Sequence, residues 1–238
     1  MTRVGILQPY FLPYLGYFQL INNVDLLVLA DDYEYSKGGW INRNRLVINK
    51  RITHITLPLE SGSDSLAIRE RQISKSFQPL SAVNKISNSY ARSANKDATN
   101  RLVREIFLQS ERNLFKYILN SVVQVCNYLE INTRIVPLST LGISKLVRRQ
   151  DRVIEICKNL GASQYLNPEG GKELYDAKTF RKFGLELQFL DHKPIEYQQF
   201  LPDFEPRLSI LDLIYMIDSR EDLQLQLQSY SISNSVRN

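Results

Sequence analysis

Residues 4–32 read VGILQPYFLPYLGYFQLINNVDLLVLADD, and their pattern decides the fold class. Val4–Leu7 is a short apolar run that stops at Gln8-Pro9, as a buried strand does. Pro13 and Gly16 punctuate a loop. From Gly16 to Asn23 the spacing of Phe18 and Ile21 fits a short helix. Asp25–Ala30 is a continuous apolar run, the mark of a strand covered on both faces. Strand, loop, helix, strand is a βαβ unit, which predicts two adjacent parallel strands in one sheet.

Working outward, Arg45–Ile48 and His54–Leu57 alternate as a hairpin around Asn49-Lys50. Residues 61–76 are polar and irregular. Pro79–Ala91 and Asn113–Leu129 carry helical spacing, with a further helix start at Ala94–Thr99. Arg134–Pro137, Gln164–Leu166 and Leu185–Leu190 read as strands. Arg152–Asn159 and Leu208–Ile217 read as helices, the first closed by Leu160-Gly161. The expectation is an α/β fold with a mainly parallel sheet flanked by helices. It is read as one domain over residues 1–230, with a helical insertion at about 78–130 and a frayed Ser/Asn-rich tail at 231–238.

The chain has 238 residues, 43% of them hydrophobic and 23% charged, so it can bury a sizeable core. Its formal charge of +5 is mild, and no long Lys/Arg tract is present, so nucleic acid is not an expected partner. Cys126 and Cys157 lie in apolar helical patterns and imply no disulfide framework. Two prolines interrupt the apolar N-terminus and no cleavage site follows, so it does not read as a signal peptide. The apolar runs are too short for a membrane span. A cytoplasmic setting is expected, and a homo-oligomer is compatible with the sequence.

The strand ends locate candidate chemistry, because ligands of open α/β sheets bind at the carboxyl ends of strands. Gln8 offers a donor and an acceptor, and Tyr10 a hydroxyl and a stacking face. Gly16 allows close backbone approach at a helix start, where N–H groups favour phosphate. The same stretch also fits an aromatic loop that merely packs. Asp31 and Asp32 follow the second strand; Asp32 is the candidate general base, with turn capping the plain alternative. Trp40, Asn42, Arg43 and Arg45 form the densest polar cluster, suited to a ring and an anion, or to a solvated strand edge. Ser139 and Thr140, with Ser144 ahead of Arg148 and Arg149, suit an anion or simple N-capping. Pro168-Glu169-Gly170-Gly171 fits a phosphate cradle or a plain turn. His192, after a strand, is a second candidate base. Two His and two Cys without metal-ligand spacing make a structural zinc site an unsuitable reading, and no tightly bound metal is expected.

Several stretches together resemble the WbqC-like family. They are the N-terminal run above, GGWINRNRL, STLGIS, RVIEICKNLGASQYLNPEGGKELYD, FGLELQFL, EYQQF and LSILDLIY, spread from residue 4 to about 216. The resemblance implies a place among O-antigen, capsule and related polysaccharide genes. It implies an enzyme that adds an acyl or aminoacyl group to an amino sugar of a nucleotide-linked precursor. The acyl donor is unassigned. A non-catalytic binding or scaffold protein of the same assembly is the alternative. Locally, the first βαβ unit resembles adenylate-forming and nucleotidyl-transferring folds of the HUP/Rossmann-like type, such as pantothenate synthetase, in which an HxGH motif follows the first strand. The corresponding positions here are Tyr14 and Tyr17, around Gly16. Tyrosine carries no positive charge near neutral pH, which argues against that phosphate chemistry and a nucleotidyltransferase.

Overall fold

The computed structural model describes residues 1–63, 65–193 and 195–234. The first apolar run is β1 (Arg3–Leu7), the helix is α1 (Leu15–Asn22) and the second run is β2 (Leu26–Leu29). β1 and β2 are parallel neighbours, with Val4 opposite Leu26 and Leu7 opposite Leu29. Next comes an antiparallel hairpin, β3 (Arg43–Ile48) and β4 (Arg51–Thr56). Asn49 and Lys50 turn it with φ of 50° and 60°, the paired left-handed conformation of a tight hairpin turn. Three helices follow: α2 (Pro79–Ser89), α3 (Lys96–Phe107) and α4 (Leu114–Tyr128). The chain then alternates β5 (Arg134–Pro137), α5 (Arg149–Asn159), β6 (Gln164–Pro168), α6 (Ala177–Lys182) and β7 (Glu186–His192). It ends with α7 (Ile210–Met216), α8 (Arg220–Gln228) and β8 (Tyr230–Asn234).

Six strands form one sheet in the order β5-β2-β1-β6-β7-β8, and only β8 runs antiparallel to its neighbour. The α/β class and the mainly parallel sheet expected from residues 4–32 are present. Side chains alternate across the strands and build two cores. Val4, Ile6, Val28, Tyr165, Leu187 and Phe189 pack with α5 and α6 on one face. Leu7, Leu27, Leu29, Leu166 and Leu190 pack with α1, the hairpin and the other helices on the opposite face. Gly5 is required there: a Cβ at this position would stand 2.7 Å from Leu20.

Residues 231–234, read as a frayed tail, belong to β8. Its Tyr230 and Ile232 pack against the core, and its backbone pairs with β7. The remainder of that tail, 235–238, lies outside the described residues. Among the described residues no helix is long and apolar enough to cross a membrane. Cys126 and Cys157 are buried and unpaired, and burial pushes both thiols up to about 12.

The strand order reverses direction between β1 and β6. β1 leads to β2 on one side, whereas β6 and β7 lie on the other. The carboxyl ends of the parallel strands, and the loops that leave them, therefore share one edge of the sheet.

Candidate functional site

At that edge lies a cleft of about 930 Å³. Gln8, just beyond β1, and Asp32 and Tyr33, just beyond β2, line it. The opposite wall is the segment entering α5, with Lys145, Arg148, Arg149 and Arg152, and Glu173–Tyr175 close one side. α5 starts without a side-chain cap: Arg148 sits at the N-cap and makes no capping bond. Its first-turn N–H groups and dipole favour an anion, alongside Asp151, which lies in the same turn. Lys145, Arg148 and Arg149 are exposed beside it.

The two aspartates after β2 do different things. Asp31 accepts from Ser139 N at 2.8 Å and Ser139 Oγ at 2.6 Å, tying the end of β2 to the turn after β5. Asp32 pairs with Arg152 of α5, and both side chains are under one-tenth exposed. The Arg152 guanidinium also stacks 5.1 Å from the Tyr33 ring centre. Even so, Asp32 Oδ1 and Arg152 Nε are buried without a hydrogen-bond partner in the protein. Two unmatched polar atoms of opposite character in one cleft floor cost free energy until water or a ligand satisfies them.

The N-terminal tyrosines mostly serve the loop. Tyr17 donates to the Gln8 carbonyl at 2.9 Å and is buried, which raises its hydroxyl well above the ordinary range. Tyr10 donates to Gln8 Oε1 at 3.3 Å, and burial, then Tyr14, raise it as well. Gly16 is buried and is not among the residues that line the cleft. A Cβ there would stand 2.4 Å from the Tyr14 ring and 3.1 Å from His192 Cβ, so its bareness lets α1 approach the end of β7. His192 lines a separate hollow of about 20 Å³ with Tyr14, Tyr197 and Arg207. Burial, with help from Arg207, lowers the ring to about 4.

The cluster around Trp40 lies outside the cleft. Asn42 accepts from Tyr35 at 2.9 Å and donates to Leu57 O at 2.8 Å, holding the base of the hairpin. Arg43 donates to Gly38 O and Gly39 O and closes the turn before β3. Arg45 pairs with Glu205 at 2.7 Å, and its guanidinium lies 5.7 Å from the Trp40 ring centre. Trp40 itself stacks on His54 at 6.2 Å. Gln8 and Asp32 thus meet in one cleft; Trp40, Asn42, Arg43 and Arg45 gather on the hairpin. Thr140 donates to Pro137 O at 2.7 Å, and with Ser139 it shapes the turn after β5 rather than capping α5.

Sequence reading missed Arg152, Lys145 and Gln19. Arg152 carried a signal: it lies one turn before Ile156, on the face of α5 that buries Val153 and Cys157. A charge on an apolar helical face needs a partner. Gln19 carried a similar one, standing amid Phe18, Leu20 and Ile21 in a helix buried nearly all round. Among the described residues no group of three or more His, Cys, Asp or Glu side chains could hold a metal ion.

No solved structure matches the chain. It is similar to the uncharacterized protein Rv1507c of Mycobacterium tuberculosis, 26% identical over 223 residues, which span 91% of this chain and 94% of that protein. The model of the WbqC-like protein family matches residues 8–223, a range holding the cleft and both aspartates, and the chain belongs to that family.

Proposed function

We propose that this protein binds a nucleotide-linked amino sugar in the cleft and forms an amide on it, as an acyl- or aminoacyltransferase of surface-polysaccharide assembly. One observation carries this. The cleft sets an uncapped helix start with Lys145, Arg148 and Arg149 across from a buried carboxylate that lacks one partner. The cationic wall suits a diphosphate, and Asp32 Oδ1 suits an N–H or O–H of the sugar. Gln8 adds a donor and an acceptor between them. Membership of the WbqC-like family supports the polysaccharide context. Nucleotide-linked sugars place the work in the cytoplasm. Asp32 is held by Arg152, which suits it to orienting the amine more than to taking its proton.

Two measurements test the proposal. A native-state ligand raises the melting temperature by mass action, so nucleotide-linked amino sugars at millimolar concentration should give a clear upward shift. Incubation with an acyl or aminoacyl donor should then raise the mass of the sugar nucleotide by one acyl group less the amine hydrogen it replaces, with the donor's leaving group released carrying that hydrogen. No thermal shift with any sugar nucleotide counts against the ligand class. A shift without a mass change favours a binding or scaffold protein.

A further inference from the structure

Gln19 is fully buried in α1, and its amide orientation is forced. Its Nε2 donates to the carbonyls of Gln226 at 2.7 Å and Ser229 at 3.0 Å, where α8 ends. Those bonds use both of its hydrogens. The reversed amide would set an oxygen against two carbonyl oxygens. Gln19 Oε1 can therefore only accept, and it lies 2.7 Å from His192 Nδ1. Nδ1 must then carry a hydrogen. In a neutral imidazole this leaves Nε2 as a bare lone pair. Among the described residues no hydrogen bond reaches His192 Nε2.

We propose that Gln19 is a positioning residue: it locks His192 as the Nδ1–H tautomer and so keeps Nε2 as a standing acceptor for an N–H or O–H of the ligand. This rests on the sheet edge being the sugar-nucleotide site and deepens that reading by naming a second contact for the sugar. His192 ends β7, on the same edge as Gln8 and Asp32. β7 stands three strands from β2, roughly 14 Å at ordinary strand spacing, and the hollow beside His192, about 20 Å³ and separate from the cleft, has room for a single hydroxyl or amine of a ligand extended along the edge.

The groups facing the ring come from several elements. Tyr14 approaches edge-on at 5.4 Å, Gln19 holds Nδ1, and Arg207 lines the same hollow. Tyr197 lines the same hollow, and Asp191, the preceding residue of β7, is raised by the neighbouring Glu169 carboxyl. Burial first, and Arg207 second, disfavour the charged ring, so it is neutral near neutral pH. An anion that pairs with Arg207 would remove the second of these causes and make Nε2 more basic when the ligand is bound.

The experiment is long-range proton–nitrogen NMR on the full chain labelled at histidine, with His192→Gln used to assign the two rings. The ligand-free protein should show a protonated Nδ1 and a pyridine-like Nε2 at His192 until the pH falls close to 4. Gln19→Met removes the acceptor at Nδ1 and sets no oxygen against the two carbonyls, so the lock should be lost and the Nε2–H tautomer should appear. An Nε2–H tautomer in the wild type overturns the proposal, as does a Gln19→Met ring that keeps the wild-type tautomer. A sugar nucleotide that raises the melting temperature should also move the Nε2 resonance. If the melting temperature rises and Nε2 does not move, the acceptor role is overturned while the sugar-nucleotide reading stands. If no sugar nucleotide binds, that reading fails, and the ligand-free spectrum alone decides the tautomer lock.

Discussion

Asp32 and Arg152 form a buried ion pair, and such a pair is costly to break from one side. Asp32→Asn should leave the Arg152 charge uncompensated and cost about 3–5 kcal/mol. Adding Arg152→Met, which removes that charge and keeps an apolar stem, should recover most of the loss. Urea denaturation of the two single variants and the double variant checks this; a single-variant cost under about 1 kcal/mol, the range of exposed pairs, would show the pair is not buried in solution. His192 gives a prediction of pH dependence. Its ordinary value is 6.5 and the folded value about 4, so between the two the unfolded chain binds more protons. The stability it contributes is complete above the ordinary value and is lost as pH falls towards 4. The stability difference between wild type and His192→Gln should therefore shrink on acidification through that window, and a constant difference would refute the lowered ring. At this scale the sequence was half legible. Asp32 stood out because it follows an apolar strand, whereas its partner Arg152 lies 120 residues away and only the fold joins them. Arg43 and Trp40 looked like ligand groups because residue chemistry does not say which carbonyls or rings will take them up.

The segment from Gly142 to Arg149 is bounded by two left-handed residues, with φ of 68° at Gly142 and 54° at Arg149. Glycine takes such a φ freely, whereas arginine there is strained, and strain of this kind gathers at ligand-handling segments. Between them Leu146 is 89% exposed, and its N–H bonds only to Ser144 Oγ within the same segment. Few hydrogen bonds and little burial mark the low-stability end of a structure. This element also carries the cationic wall of the cleft. Trypsin should therefore cut first after Lys145, Arg148 or Arg149, and a bound sugar nucleotide should slow that cutting several-fold. Cleavage that begins elsewhere, or that a binding ligand leaves unchanged, would separate this segment from the ligand site. Arg149→Gly should barely change the urea midpoint, because relief of strain and added chain entropy are both about 1 kcal/mol, while weakening ligand binding. The sequence offered Ser139 and Thr140 as anion contacts or, more plainly, as caps of this helix. Their hydroxyls were instead taken up by Asp31 and by Pro137 O, and local pattern alone does not decide between such nearby partners.

At the scale of the whole molecule, the strands that read most clearly were those buried on both faces. The stretch LLVLA, residues 26–30, needs apolar residues at every position, and that requirement is written in the chain. β8 reads YSISN, polar enough to look like a fraying end, and only pairing with β7 reveals it as a strand. The cleft was equally hidden, since Gln8, Asp32 and Arg152 meet only through the order β5-β2-β1-β6-β7-β8. β8 also has work that its composition does not announce. It covers the outer edge of β7 along Gln188–His192, and Tyr230 donates to Asn23 Oδ1 at 2.6 Å beside α1. An uncovered β7 would offer a row of unpaired N–H and C=O groups flanked by Leu187 and Phe189, the usual template for self-association. A chain ending at Ser229 should lose about 2–4 kcal/mol, from the partial burial of Tyr230 and Ile232 and the lost pairing, and should self-associate at concentrations where the full chain does not. Tyr230→Phe is the control: it removes only the bond to Asn23 and should cost about 1 kcal/mol without promoting association. Urea midpoints and light scattering compare the two. If the shortened chain is no less stable and no more prone to associate than Tyr230→Phe, β8 does not protect the edge, and the sheet is complete at β7.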